Sequence, residues 1–167
     1  MPKLLIADDE RGSREALRLI FDKEFEVLLA ESAEEAQTLL AREPVDLALL
    51  DVVMPGRSGI DLLRLIHADH PDLPVIMVSA STAIPSVVEA IRLGAVDFVG
   101  KPFDIENLRH IVRRVAEIVG APALQHMLDG TVGQQIGVTP DLRGEVGVGL
   151  QRQPEVADVL RRIHRQA

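Results

Sequence analysis

The chain has 167 residues, 47% of them hydrophobic and 26% charged, with a formal net charge of -8. That length suits one domain with an appendage and leaves no room for two full domains. Cysteine is absent, which excludes disulfide scaffolds, thiolate metal sites and cysteine nucleophiles, and no apolar run approaches the ~18 residues of a membrane span. The opening MPKLLIADDE meets carboxylates too soon for a signal peptide, so a cytoplasmic location with no membrane partner is expected.

The charge is unevenly distributed. Residues 1–120 hold thirteen Lys and Arg against twenty-one Asp and Glu, whereas residues 121–167 hold five of each. All four Phe fall in the first part, and half of the twelve Gly fall in the shorter second part. The expected division is therefore a domain over 1–120 and a linker or tail over 121–167. An acidic body argues against direct nucleic-acid binding by residues 1–120, which would need a positive face.

Within the first 120 residues, short apolar runs alternate with segments of helical period. Strands are predicted at Lys3–Ala7, Phe25–Ala30, Val45–Leu50, Pro74–Ser79 and Val96–Val99, and helices near 11–23, 32–42, 58–69, 84–93 and 104–119. Ser32 with Glu35 reads as a capping box, Pro85 suits a first helical turn, and Gly94 follows a helix end. In the last helix, Ile105, Leu108, Ile111, Val112 and Val115 are expected inward, with Arg109, Arg113 and Arg114 outward. Strict alternation predicts an α/β, flavodoxin-like, doubly wound parallel sheet of five strands in the order 2-1-3-4-5. Such sheets bind ligands beyond the carboxyl ends of their strands, where the strand order reverses.

The predicted strand ends carry Asp8, Asp9 and Glu10 after the first strand, Asp51 after the third, Ser79 on the fourth, and Lys101 just past the fifth. Singly, an Asp pair reads as a solvated turn, a Lys-Pro as a loop and a strand-end Ser as a backbone partner. Their convergence on one sheet edge favours chemistry. Carboxylates about 4 Å apart repel by roughly 4 kcal/mol per pair at an effective dielectric near 20. A cation is therefore needed: Lys101 supplies one charge, and a hard, oxygen-seeking dication such as Mg2+ supplies the rest.

Those residues resemble the receiver domains of bacterial two-component response regulators over residues 3–119. Asp8 and Asp9 match the acidic pair. Asp51 opens the D-x-x-M-P-G-x-x-G turn through Gly59, Ser79-Ala80 matches the Ser/Thr-Ala pair, and Lys101-Pro102 closes the set after Gly94-Ala95-Val96-Asp97-Phe98. The resemblance implies that Asp51 accepts a phosphoryl group from a sensor histidine kinase, and that Asp8, Asp9, Asp51 and the Val53 carbonyl hold Mg2+. It also implies that Lys101 and Ser79 contact the phosphoryl oxygens. Ser79 and Phe98 would then form a switch, relaying the state through the face of helix 4, strand 5 and helix 5, where homodimerisation on phosphorylation follows by analogy. Phe98 replaces the commoner Tyr. The positions that place the hydrolytic water in the family are Val53 and Ser81, neither an amide nor a carboxylate, so self-dephosphorylation is expected to be slow.

Other chemistries fit less well. A haloacid-dehalogenase-like, Mg2+-dependent aspartyl-phosphate phosphatase needs a second Asp where Val53 stands, and a flavodoxin-like carrier needs a Gly-rich phosphate loop where Asp8-Asp9-Glu10 stand. No P-loop is present. The chain is thus expected to accept phosphate on itself rather than turn over an external substrate. In the tail, residues 130–149 read as either a hairpin or a flexible linker, and residues 154–167 as a helix. A single helix makes no helix-turn-helix, despite Arg152, Arg161, Arg162 and Arg165. Arg152–Ala167 weakly resembles the segment preceding the AAA+ ATPase of enhancer-binding transcription activators. The tail is therefore either that of a stand-alone receiver or the linker of a longer activator.

Overall fold

Leu4, Leu5, Ile6 and Ala7 are all fully buried, because successive side chains on a strand point to opposite faces and here both faces are covered. In this computed structural model, which describes residues 1–119, ten elements follow in strict alternation. They are β1 (Lys3–Ala7), α1 (Arg11–Phe21), β2 (Glu26–Ala30), α2 (Ala33–Arg42), β3 (Leu47–Leu50), α3 (Gly59–Asp69), β4 (Val75–Ser79), α4 (Ile84–Arg92), β5 (Asp97–Gly100) and α5 (Ile105–Val119). All pairings are parallel, in the order β2-β1-β3-β4-β5, the expected flavodoxin-like layout.

Two separate cores result. Leu5, Ala7, Leu50 and Met77 pack with Ala36 and Leu40 of α2, Leu62 and Ile66 of α3 and Ala90 of α4. Leu4, Ile6, Leu49, Ile76 and Val78 pack with Leu17 and Phe21 of α1 and Leu108, Val112 and Val115 of α5. Each fully buried Leu or Ile contributes about 1.5–3 kcal/mol relative to exposure, which fixes the register of every strand. Among the described residues, no helix is long and apolar enough to cross a membrane.

Several boundaries differ from expectation. Phe25 precedes β2 rather than opening it: its N–H donates to the Phe21 carbonyl at 2.9 Å and its ring meets Phe21 edge to face, so the aromatic closes a turn. Val45 and Pro74 likewise lie just outside their strands. β5 starts one residue later than predicted and ends on Gly100, opposite Ser79, which brings Lys101 to the strand end. Ser32 caps α2 by accepting from the Glu35 N–H, but Glu35 reaches back to the Glu31 N–H rather than to that of Ser32. The reciprocal capping box lies instead at Ser58 and Asp61, at the start of α3. On α5, Ile105 is 48% exposed rather than inward. Arg109 turns inward enough to donate to the Ile20 carbonyl at 3.1 Å, at the C-terminal end of α1, where unpaired carbonyls attract a cation. The expectations for residues 120–167, including the hairpin, the helix and the linker, lie outside the described residues.

Candidate functional site

β1 and β3 are neighbours whose connections leave in opposite directions, β1 through α1 to β2 and β3 through α3 to β4. The gap this opens above their carboxyl ends receives Asp8 and Asp51. Their backbones extend the sheet: Asp8 N–H donates to the Ala30 carbonyl at 3.1 Å and Asp51 N–H to the Ala7 carbonyl at 2.8 Å. Asp8 is 1% exposed and Asp51 7% exposed, while Asp9 faces solvent. One carboxylate oxygen from each of Asp8, Asp9 and Asp51 lies within 4.8 Å of the others.

The expected groups, Asp8, Asp9, Asp51, Ser79 and Lys101, do converge. Lys101 Nζ donates to Asp8 Oδ2 at 2.6 Å and to Asp51 Oδ2 at 2.8 Å. Ser79, fully buried, donates its hydroxyl to Asp51 Oδ1 at 2.7 Å, and the Val53 N–H donates to the same oxygen at 3.0 Å. Burial works against the Lys101 charge, but its bonds to Asp51 and Asp8 outweigh this and raise its pKa above the ordinary lysine value. One ammonium still faces three carboxylates. Bringing in a hard dication suits this set, because the donors are all oxygens and Asp9 leaves the site open to solvent.

The loop after Asp51 is shaped to hold it. Gly56 adopts φ 77°, and the Gly59 N–H donates to the Val52 carbonyl at 2.9 Å. A Cβ on Gly59 would sit 1.8 Å from the Asp51 carbonyl oxygen, so only glycine lets α3 start this close to the Asp51 backbone. Val52 and Met54 anchor the loop in the core, and Arg57 ties it to α2 by donating to Gln37 at 2.9 Å. Val53 projects outward, 59% exposed. Phe98 is half-buried, paired in register with Met77 and packed against the α2–α3–α4 core.

Two contributors are not marked by any motif. Ser13 donates its hydroxyl to Asp8 Oδ2 at 2.6 Å, and Arg14 Nη1 donates to the carbonyls of Asp8 and Asp9 at 2.7 and 2.9 Å. The available signal is positional: side chains in the first turn of a helix lean toward its N-terminus, hence over the strand end that launched it.

The pattern that defines the response regulator receiver domain matches residues 4–113. The response regulator protein PilR of Pseudomonas aeruginosa is 35% identical over 142 residues, covering 84% of this chain and 31% of PilR. The receiver domain of NtrX from Brucella abortus, a crystal structure, is 36% identical with a TM-score of 0.63, covering 68% of this chain and 98% of that domain. The response regulator TrrA from Thermotoga maritima, crystallised in complex with Mg2+ and BeF, is 29% identical with a TM-score of 0.63, covering 69% and 99%. The chain spans less than a third of PilR's length, and about a quarter of other curated relatives such as FleR and HoxA. A doubly wound sheet with an acidic pocket, a buried serine and a lysine at its switch point, matched over residues 4–113, establishes that this chain belongs to the response regulator receiver domain family.

Proposed function

We propose that Asp51 accepts a phosphoryl group from the phospho-histidine of a sensor histidine kinase, with Mg2+ held by Asp8, Asp9, Asp51 and the Val53 carbonyl. The observation that carries this reading is the Asp51 carboxylate itself: it is 7% exposed, yet donors reach both of its oxygens. In the transfer, a carboxylate oxygen of Asp51 forms the new O–P bond as the P–N bond of the donor breaks. The bonding pair stays on the imidazole nitrogen, which takes up a proton. A bound Mg2+ supplies charge neutralisation for the transferring phosphoryl oxygens, and the crystallisation of TrrA in complex with Mg2+ supports the same ion here.

Lys101 and Ser79 then exchange acceptors, from the carboxylate to the phosphoryl oxygens, and positioned charge of this kind lowers the barrier without further covalent steps. Ser79 needs no long excursion, since its hydroxyl already faces Asp51. The resulting change in Ser79 is read by Phe98, which lies on the next strand two residues before Gly100, the partner of Ser79. From there it passes to the face made by α4, β5 and α5. That face serves as a dimer surface in the phosphorylated state.

The chain signals rather than turns over substrate in a cellular, cytoplasmic relay, and its own phosphate decays slowly because the Val53 and Ser81 side chains hold no hydrolytic water. A second reading concerns residues 121–167. The match to PilR covers more of the chain than residues 1–120, which favours the tail as the linker of a longer, AAA+-type transcription activator.

Incubation with acetyl phosphate and Mg2+ tests the main reading. One acid-stable, hydroxylamine-labile phosphate per chain is expected, absent in Asp51→Asn and persisting for many minutes after the donor is removed. Labelling of Asp51→Asn at the wild-type level would overturn the assignment, and decay within seconds would overturn the slow self-dephosphorylation.

A further inference from the structure

Each carboxylate oxygen of Asp8 accepts at least one hydrogen bond among the described residues. Its Oδ1 accepts from the Glu10 N–H at 2.9 Å, and its Oδ2 accepts from both Lys101 and the Ser13 hydroxyl, each at 2.6 Å. An O–H···O⁻ bond of that length is charge-assisted, roughly twice as strong as a neutral one. Ser13 is the third residue of α1, and the strand-to-helix connection aims it at Asp8.

The two donors on Oδ2 differ in charge. Lys101 brings a full positive charge, which a second cation beside Asp8, Asp9 and Asp51 would repel. Ser13 brings a proton donor with no net charge, so its bond to Asp8 survives where that of Lys101 weakens. Outer groups that orient a metal ligand in this way affect metal affinity without touching the ion.

We propose that Ser13 is a positioning residue for the divalent cation: its hydroxyl holds the Asp8 carboxylate in place independently of Lys101. The proposal rests on the reading of Asp8, Asp9 and Asp51 as a Mg2+ site. A purely structural role makes a different forecast. Ser13→Ala would then lower the melting temperature through loss of the bond to Asp8, offset in part by the better helix propensity of Ala, and leave Mg2+ binding unimpaired.

Mg2+ titration of the full 167-residue chain by calorimetry separates these outcomes, with thermal melts in EDTA to check folding. Ser13→Ala is expected to raise the Mg2+ Kd about tenfold, and Ser13→Thr, which keeps the hydroxyl, to stay within about threefold of wild type. If Ser13→Ala does not fold, Ser13→Val against Ser13→Thr isolates the hydroxyl in side chains of equal shape. Equal affinity in the hydroxyl-bearing and hydroxyl-free chains, with Asp9→Asn still weakening binding, overturns the role of Ser13 alone. A wild-type chain that takes up no Mg2+ overturns the metal reading and the proposal together.

Discussion

The two ends of the sheet each place a lysine among carboxylates, and only one of them buries the cluster. At the amino end, Lys3 Nζ lies 2.6 Å from Glu43 and 3.4 Å from Glu26, whose side chains are 39% and 55% exposed. At the carboxyl end, Lys101 meets Asp8 and Asp51, whose side chains are 2% and 8% exposed. Both lysines have raised pKa values, Lys3 chiefly through its bond to Glu43, Lys101 through bonds that overcome its burial. The residue types are nearly the same; what differs is access to water. A solvated pair is screened and exchanges freely, whereas a dry one fixes the direction and charge of each oxygen. The chemistry of this fold therefore comes from where a Lys and carboxylates stand, and composition alone would not distinguish the two clusters.

Substitutions that remove the cation sharpen the contrast most. Lys101→Met leaves two buried carboxylates without their partner and is expected to cost about 3–5 kcal/mol in EDTA, measured by urea unfolding. Mg2+ should return part of that loss, because binding to the folded state alone adds about 2.7 kcal/mol at a hundred times Kd. Next in size is Gly59→Ala, whose Cβ would drive into the Asp51 carbonyl. A cost of about 1–3 kcal/mol is expected, together with slower phosphorylation by acetyl phosphate, since the displaced backbone is that of the proposed acceptor, Asp51. Stability unchanged in this variant would mean that the β3–α3 loop shifts freely.

The smallest effect belongs to Lys3→Met, expected to leave the urea midpoint almost unchanged. In both clusters the lysine pKa is raised on folding. The stabilisation is therefore present in full below the unfolded value of about 10.4 and is lost as the pH rises through the raised folded value. Alkaline titration thus gives the same sign for both. Salt separates them: raising ionic strength should erode the Lys3 contribution and spare that of Lys101. Equal salt sensitivity of the two variants would break the comparison.

The sheet order and the polar cluster are readable in the sequence because burial on both faces leaves uninterrupted apolar runs, and the runs of β1, β3, β4 and β5 end at the residues of that cluster. The ends of β5 and α5 are less readable. Val96 is apolar and 39% exposed, and Ile105 is apolar and 48% exposed, so hydrophobicity alone places both one step too far inward. Arg109 looks like a solvent-facing residue until the carbonyl end of α1 is seen beneath it. Ser13 and Arg14 escape for another reason: their importance arises from the angle at which α1 leaves β1, which no local pattern encodes.

The sheet order also distributes mechanical freedom. β1 and β3, which lead into Asp8 and Asp51, each have a neighbour on both sides, whereas β5, which leads into Lys101, is bonded among the described residues to β4 alone. Displacing either carboxylate would break two ladders of hydrogen bonds, and displacing the ammonium strains only one. The anionic half of the site is thus clamped and the cationic half hangs from an open flank. Any rearrangement that charge at Asp51 provokes has its path of least resistance outward through β5, at the margin of the sheet rather than through its centre.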